Sequence, residues 1–203
     1  MLFRSLQPPR LLCIARFVPR KNHRLLLQAY GAYQAAGGGW GLQLVGDGPE
    51  EPLVRQTIAR LPDPCRVSVL PFQQLDDLRS LYATASGFVL PSLVDQWGLV
   101  VNEAMAAGLP VLVSRGAGCA VDLIDEGTTG WSFDPGDPEA LTQLLHQLEA
   151  LPPDRRERLR RAAAARLRRF DPEAFADGLE AAVTTALASP RRSRLGALVA
   201  RLR

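Results

Sequence analysis

Pro91-Ser-Leu-Val-Asp-Gln-Trp-Gly-Leu-Val-Val-Asn-Glu-Ala-Met-Ala-Ala-Gly-Leu-Pro-Val-Leu-Val-Ser114 is the stretch whose pattern decides the fold. The apolar run Gly87 to Leu90 feeds into it as a buried strand, and Pro91, with no N–H to donate, ends that strand. Gly98 breaks the loop. Leu99 to Ala107 then carries helix-favouring residues up to Gly108, a left-handed stop with Pro110 just beyond. Val111 to Val113 begins the next strand. The unit is strand, loop, helix, strand, and its helix starts at a glycine where free backbone N–H groups can face an anion. Asp95 in the loop and Glu103 on the helix flank that start, with seven residues between them.

Outward from this unit the chain alternates. Strands are expected at Leu11 to Ala15, Leu42 to Val45, Val67 to Leu70, Gly87 to Leu90, Val111 to Val113 and Trp131 to Phe133. Helices are expected at Arg24 to Ala36 (with Asn22 as its cap), Glu51 to Leu61, Asp76 to Ala85, Val121 to Asp125 and Pro138 to Ala150. Short apolar runs without polar alternation, interleaved with helices, predict an α/β fold: a Rossmann-like parallel sheet with helices on both faces. In such sheets ligands bind at the carboxyl ends of the strands. Arg16, Gly46, Pro71, Pro91 and Ser114 all follow strands, so their loops should gather on one edge. Gly116 and Gly118 permit close backbone approach or simply make a turn.

The 203 residues are 47% apolar and 22% charged, as in a soluble globular protein, and are enough for one large domain or a small pair. No apolar run is long enough to cross a bilayer, and no signal-peptide core follows a charged start. Three cysteines, Cys13, Cys65 and Cys119, have no metal-ligand spacing, and Cys13 reads as a buried thiol. The expected location is cytoplasmic. His23 and His146 have no partner pattern and are given no catalysis.

Pro-Ser at 91–92, an acid, seven residues and a second acid around Trp97-Gly-Leu, then Glu103-Ala-Met-Ala-x-Gly-x-Pro-Val closely resemble the nucleotide-sugar-binding half of retaining glycosyltransferases of family 4, which have the GT-B fold. The resemblance spans roughly Leu11 to Leu148. The sequence departs from the family pattern in having Asp95 for Glu and Trp97 for Phe. The resemblance implies transfer of a hexose from a nucleoside-diphosphate sugar with retention, needing no cofactor and no metal. It implies that Arg16 and Lys21, with the helix start at Gly98, Leu99 and Val100, grip the donor diphosphate. Glu103 would accept from ribose hydroxyls and Asp95 would touch hydroxyls of the transferred sugar, one methylene short of Glu. Arg16, Lys21, Asp95 and Glu103 are thus the candidate catalytic residues. Phe72 and Gln73 align with where the family holds the base, and Gly46 borders the donor site.

Three alternatives stand beside this one. A dinucleotide-dependent oxidoreductase would need Gly-x-Gly-x-x-Gly after the first strand, where Arg16-Phe-Val-Pro-Arg-Lys stands instead. A glycosidase would use Asp95 and Glu103 as acid and base. The third is a nucleotide-sugar-binding subunit, inactive without an N-terminal acceptor domain expected on a separate chain. The domain plan is a donor-binding domain over residues 1–152, C-terminal helices over 153–189 packing on it, and a basic tail over 190–203. Arginines from Arg155 to Arg169 read as a solvated helix face, without the interleaved aromatics a nucleic-acid site would use. In the tail, Leu195, Leu198, Val199 and Leu202 recur among arginines, a pattern that can lie on anionic lipid at the inner membrane face.

Overall fold

The structure is a computed structural model describing residues 8–188. The chain divides after Leu167 into two compact units. In the first, β1 (Arg10–Ile14) is followed by α1 (His23–Ala35), β2 (Gly41–Val45), α2 (Glu51–Ile58), β3 (Val67–Leu70) and α3 (Leu75–Thr84). Then come β4 (Gly87–Leu90), α4 (Leu99–Ala106), β5 (Val111–Ser114), α5 (Cys119–Leu123), β6 (Trp131–Phe133), α6 (Pro138–Glu149) and α7 (Pro153–Leu167). The strands form a single six-stranded sheet in the order β3-β2-β1-β4-β5-β6. Every pairing is parallel, with Leu11 opposite both Leu42 and Gly87.

Successive strand side chains point to opposite faces, and here both faces are covered. Leu11, Cys13, Leu44 and Val89 enter one core with Leu26, Tyr30 and Tyr33 of α1 and Leu145 of α6. Leu12, Phe88, Leu90 and Val113 enter the other with Tyr82 of α3, Val101 and Met105 of α4 and Ala163 of α7. That double burial is why the central β1, β4 and β5 read as nearly unbroken apolar runs, whereas β2 carries the buried Gln43 and the edge strand β3 the exposed Ser68. Burial also pushes the Cys13 thiol up to about 12, which makes it an inert packing group. The expected Rossmann-like sheet is therefore present. Its strand order reverses at β1, so the loops leaving β1 and β4 part to opposite faces and open a crevice between them.

Two local expectations change. Asn22 does not cap α1 with its side chain. It sits in the left-handed region at φ 57°, and its buried amide donates to the Pro91 carbonyl at 3.2 Å and the Pro135 carbonyl at 2.9 Å. The reason is supply: both carbonyls lie just past strand ends, outside the sheet ladder, and need a donor. The short helix after β5 begins at Cys119 rather than Val121, because the loops after β4 and β5 interlock first. Asp95 N–H donates to Gly116 O, Gly118 N–H to Asp95 O and Cys119 N–H to Trp97 O, each at 3.0 Å. A Cβ on Gly116 would lie 2.1 Å from the Leu93 carbonyl oxygen, and one on Gly118 2.2 Å from that of Gln96. Close approach, then, is what these two glycines provide.

In the second unit a 3-10 turn, Arg168–Phe170, leads to α8 (Pro172–Ala188), whose first turn Asp171 caps by accepting from Ala174 N–H at 2.8 Å. Its apolar residues Phe175, Leu179, Val183 and Leu187 recur every fourth position and are exposed. The basic tail at 190–203 lies outside the described residues. Among the described residues no helix is long and apolar enough to cross a membrane.

His23 is buried in the first core, edge-on to Phe17 with ring centroids 4.8 Å apart, and neither ring nitrogen has a partner among the described residues. Burial, and then the Lys21 charge, lower its pKa from 6.5 to about 4. Between these two values the unfolded chain binds the proton and the folded chain does not. The stability from this site is thus fully present above about pH 6.5 and is lost as pH falls towards 4, by roughly 3 kcal/mol. Urea unfolding at several pH values should show a steeper acid-side decline for the wild type than for His23→Leu. Parallel declines would disprove the assignment.

Candidate functional site

The crevice at the carboxyl ends of β1 and β4 is a cleft of about 440 Å³. Arg16, Arg20 and Lys21 come from the loop after β1, Gly46 and Asp47 from that after β2, and Phe72 with Gln73 from that after β3. Asp95 through Val100 close the far wall. A 3-10 turn over Pro19–Lys21 presents the cations, with Lys21 N–H donating to Val18 O at 2.9 Å. The turn is tied across the crevice by Leu93 N–H donating to Arg20 O at 2.8 Å. Lys21 Nζ donates to Asp95 Oδ2 in a largely buried ion pair, which Ser92 Oγ approaches at 3.5 Å. Arg16 and Arg20 make no ion pair among the described residues.

The start of α4 forms the floor. Gly98 holds φ 100°, a conformation that strains any residue with a Cβ, and an added Cβ would also meet Leu90 at 2.9 Å. The turn aims the first N–H groups of α4, at Leu99 and Val100, away from any acceptor within the helix. The Trp97 indole N–H donates to Asn102 Oδ1 at 2.9 Å and fastens the loop to α4. Cations and a helix N-terminus on one cleft have the chemistry to take an anion, and a carboxylate beside them offers acceptors for hydroxyl groups.

The cleft brings together Arg16, Lys21, Gly46, Phe72, Gln73, Asp95, Gly98, Leu99 and Val100. Glu103 is set apart. It sits a helical turn further along α4, where its Oε2 accepts from the Tyr82 hydroxyl at 2.7 Å. It borders a second hollow of about 320 Å³, lined also by Leu75, Leu78 and Arg79. Leu78 lines both spaces, so the two are neighbours on the same edge of the sheet. Burial first, and then the bond to Glu103, push the Tyr82 phenol up from its ordinary value. Sequence reasoning missed Arg20, Asp47 and Tyr82. Arg20 is adjacent to Lys21 in the same turn, and that adjacency was the available signal. Tyr82 had none, being an aromatic at core spacing in a helix. Another hollow, of about 420 Å³ beside Pro9, Arg10 and Arg66, is at the opposite, amino edge of the sheet, away from all these loops. Among the described residues no three His, Cys, Asp or Glu side chains cluster as metal ligands would.

The architecture has known counterparts. A crystal structure of Anabaena Alr3699/HepE in complex with UDP-glucose superposes with a TM-score of 0.75 at 24% identity, covering 87% of this chain and 48% of that one. The shared fold is the Rossmann-like half of a GT-B-type protein with its C-terminal helices. By sequence, the chain is 36% identical over 137 residues to sulfoquinovosyl transferase SQD2 of Arabidopsis thaliana, covering 64% of this chain and 25% of that protein. It is 33% identical over 181 residues to a D-inositol 3-phosphate glycosyltransferase of Segniliparus rotundus, covering 86% of this chain and 39% of that protein. The chain thus spans well under half the length of these two relatives. Asp95 and Trp97 are the positions at which the 91–114 stretch departs from the narrower family 4 pattern. The expectation of family 4 is corrected accordingly: residues 3–166 match the model for glycosyl transferases group 1, and it is to that family that the chain belongs.

Proposed function

We propose that this chain is the donor-binding part of a glycosyltransferase that takes a hexose from a nucleoside-diphosphate sugar and transfers it with retention. The observation that carries the proposal is the convergence of Arg16, Lys21, Asp95 and the α4 N-terminus on one cleft. Membership of the glycosyl transferases group 1 family and the likeness to a UDP-glucose complex support it. The donor-binding domain is assigned to residues 1–152, with α7 packed against it.

Breaking the bond between the sugar's C1 and the diphosphate leaves negative charge on the departing oxygen. Arg16, Lys21 and the Leu99 and Val100 N–H groups are assigned to that charge. They are already in position, so they stabilise it without reorganising. Retention follows if the acceptor hydroxyl attacks on the face the diphosphate leaves, the new C1–O bond forming as the old one breaks. The hydroxyl proton then passes to the departing diphosphate. Asp95 is assigned to sugar hydroxyls, Glu103 to ribose hydroxyls, and Phe72 with Gln73 to the base. Acceptor binding is assigned to a facing domain, in keeping with the greater length of the relatives.

Titration calorimetry against UDP, GDP and ADP tests the cleft. Arg16→Ala should weaken the tightest of the three by about 10-fold, the loss of one charge-assisted contact; unchanged affinity would remove Arg16 from the site. Asp95→Ala frees Lys21, so the free nucleoside diphosphate should bind at least as well as to the wild type while its hexose conjugate binds more weakly. Equal losses for both would refute the sugar role.

A radiolabelled-donor transfer assay tests the division of labour. These 203 residues should bind nucleoside diphosphate and transfer nothing, because placement of both substrates in one water-excluded cleft supplies much of the rate. Transfer should appear on joining a matching acceptor domain. Robust turnover by the chain alone would put the acceptor site within it.

A further inference from the structure

We infer that Tyr82 is a positioning residue for donor binding: its buried hydroxyl clamps the Glu103 carboxylate so that the remaining acceptor positions meet the donor ribose. This rests on the ribose role proposed for Glu103 and adds to it the group that makes the carboxylate selective.

Tyr82 is on α3 and Glu103 on α4, so the contact joins two helices on one face of the sheet. The Tyr82 ring is buried in the second core, its centroid 6.1 Å from that of Phe88. The ring's place is therefore set by packing, independent of the hydroxyl. Glu103 has no such packing. It is exposed, and Tyr82 is the only side chain that hydrogen-bonds its carboxylate among the described residues. A rigid aromatic donor thus holds a carboxylate that would otherwise sample several rotamers. The O–H···O contact of 2.7 Å is of the short, charge-assisted kind. The Val100 carbonyl, 3.4 Å from the same hydroxyl, is a poor competitor for its single proton.

The chemistry that follows is a count of acceptors. An ionised carboxylate offers about four lone-pair positions. Tyr82 occupies one on Oε2, which leaves Oε1 and the other side of Oε2 for two neighbouring hydroxyls. Vicinal hydroxyls on a ribose match that demand. A deoxyribose lacks one of them and would leave a fixed acceptor unfilled. Without Tyr82 the carboxylate can turn to solvent, so the penalty for the missing hydroxyl falls. The consequence is selectivity for ribonucleotide donors that depends on a residue touching no part of the donor.

Tyr82→Phe isolates the hydroxyl, because the ring and its packing remain and the exposed carboxylate stays hydrated. Calorimetry on the wild type, Tyr82→Phe, Glu103→Ala and the double variant would use the tightest-binding of UDP, GDP and ADP and its 2′-deoxy counterpart. Tyr82→Phe should weaken the ribonucleotide by about fivefold and leave the deoxy form unchanged, with a melting temperature close to the wild type's. The double variant should bind like Glu103→Ala alone, since the two act as a unit. Equal losses for both nucleotides would make Tyr82 merely structural and overturn the inference. So would wild-type discrimination retained in Tyr82→Phe but lost in Glu103→Ala, an outcome that leaves the donor site standing. A wild type that binds none of the three nucleotides overturns the donor site itself, and this inference with it.

Discussion

The buried amide of Asn22 is the contact on which the carboxyl edge of the sheet depends. One side chain donates to the carbonyls of Pro91, just after β4, and Pro135, just after β6, while its own backbone ends the turn after β1. Leaving either carbonyl without a donor would cost on the order of 1–3 kcal/mol. The larger consequence is geometric. Lys21 is the neighbouring residue, so fixing Asn22 fixes where the cleft's central cation emerges relative to the β4 loop. The left-handed backbone at Asn22 is what lets the chain turn from the 3-10 segment into α1 while its side chain points across the edge.

Most of the architecture could be read from the residues because both faces of this sheet are buried. A two-sided core demands apolar residues at successive strand positions, and runs such as Leu11-Leu-Cys-Ile and Gly87-Phe-Val-Leu stand out for that reason. The 91–114 stretch was legible for another reason: Pro91, Gly98, Gly108 and Pro110 each stop or turn the chain in ways few other residues can. What could not be read depends on contacts between distant loops. The amide of Asn22 bonds to residues 69 and 113 positions away. The bond between Tyr82 and Glu103 depends on how α3 lies beside α4. Sequence spacing linked Asp95 to Glu103 as a pair, whereas the fold gives Asp95 to Lys21 and Glu103 to Tyr82.

The arginines after Pro153 illustrate how a charge run can be absorbed by the fold. Arg156 donates to Leu148 O at 2.6 Å and stacks 5.1 Å from the Trp40 ring centroid. Arg155 reaches Gly127 O at 2.6 Å, and Arg166 reaches Asp122 O at 3.3 Å. Glu157 pairs with both Arg160 and Arg161, whose hydrogen bonds hold its carboxyl down at about 2. The contacts of Arg155, Arg156 and Arg166 fasten α7 to loops and helix ends of the same unit, while those of Glu157 lie within the helix. Guanidinium groups suit this work because each can serve several carbonyls in a fixed plane.

The short side chain of Asp95 suits the place where the fold holds its backbone. The Asp95 backbone is held on both sides by the β5 loop, through its own N–H to Gly116 O and its carbonyl to Gly118 N–H. The loop can come that close only because neither glycine carries a Cβ. With the backbone pinned, the shorter side chain still reaches Lys21 across the cleft. A carboxylate and an ammonium held face to face are each costly to desolvate alone, and each offsets the cost for the other. The ammonium has three donors and the carboxylate two oxygens, so neither is saturated by the pair. An arriving anion can take the remaining donors of Lys21, and an arriving hydroxyl the remaining acceptor positions of Asp95. Because the pair orients each group before any ligand arrives, it serves as the hinge between the phosphate and sugar ends of the proposed donor site.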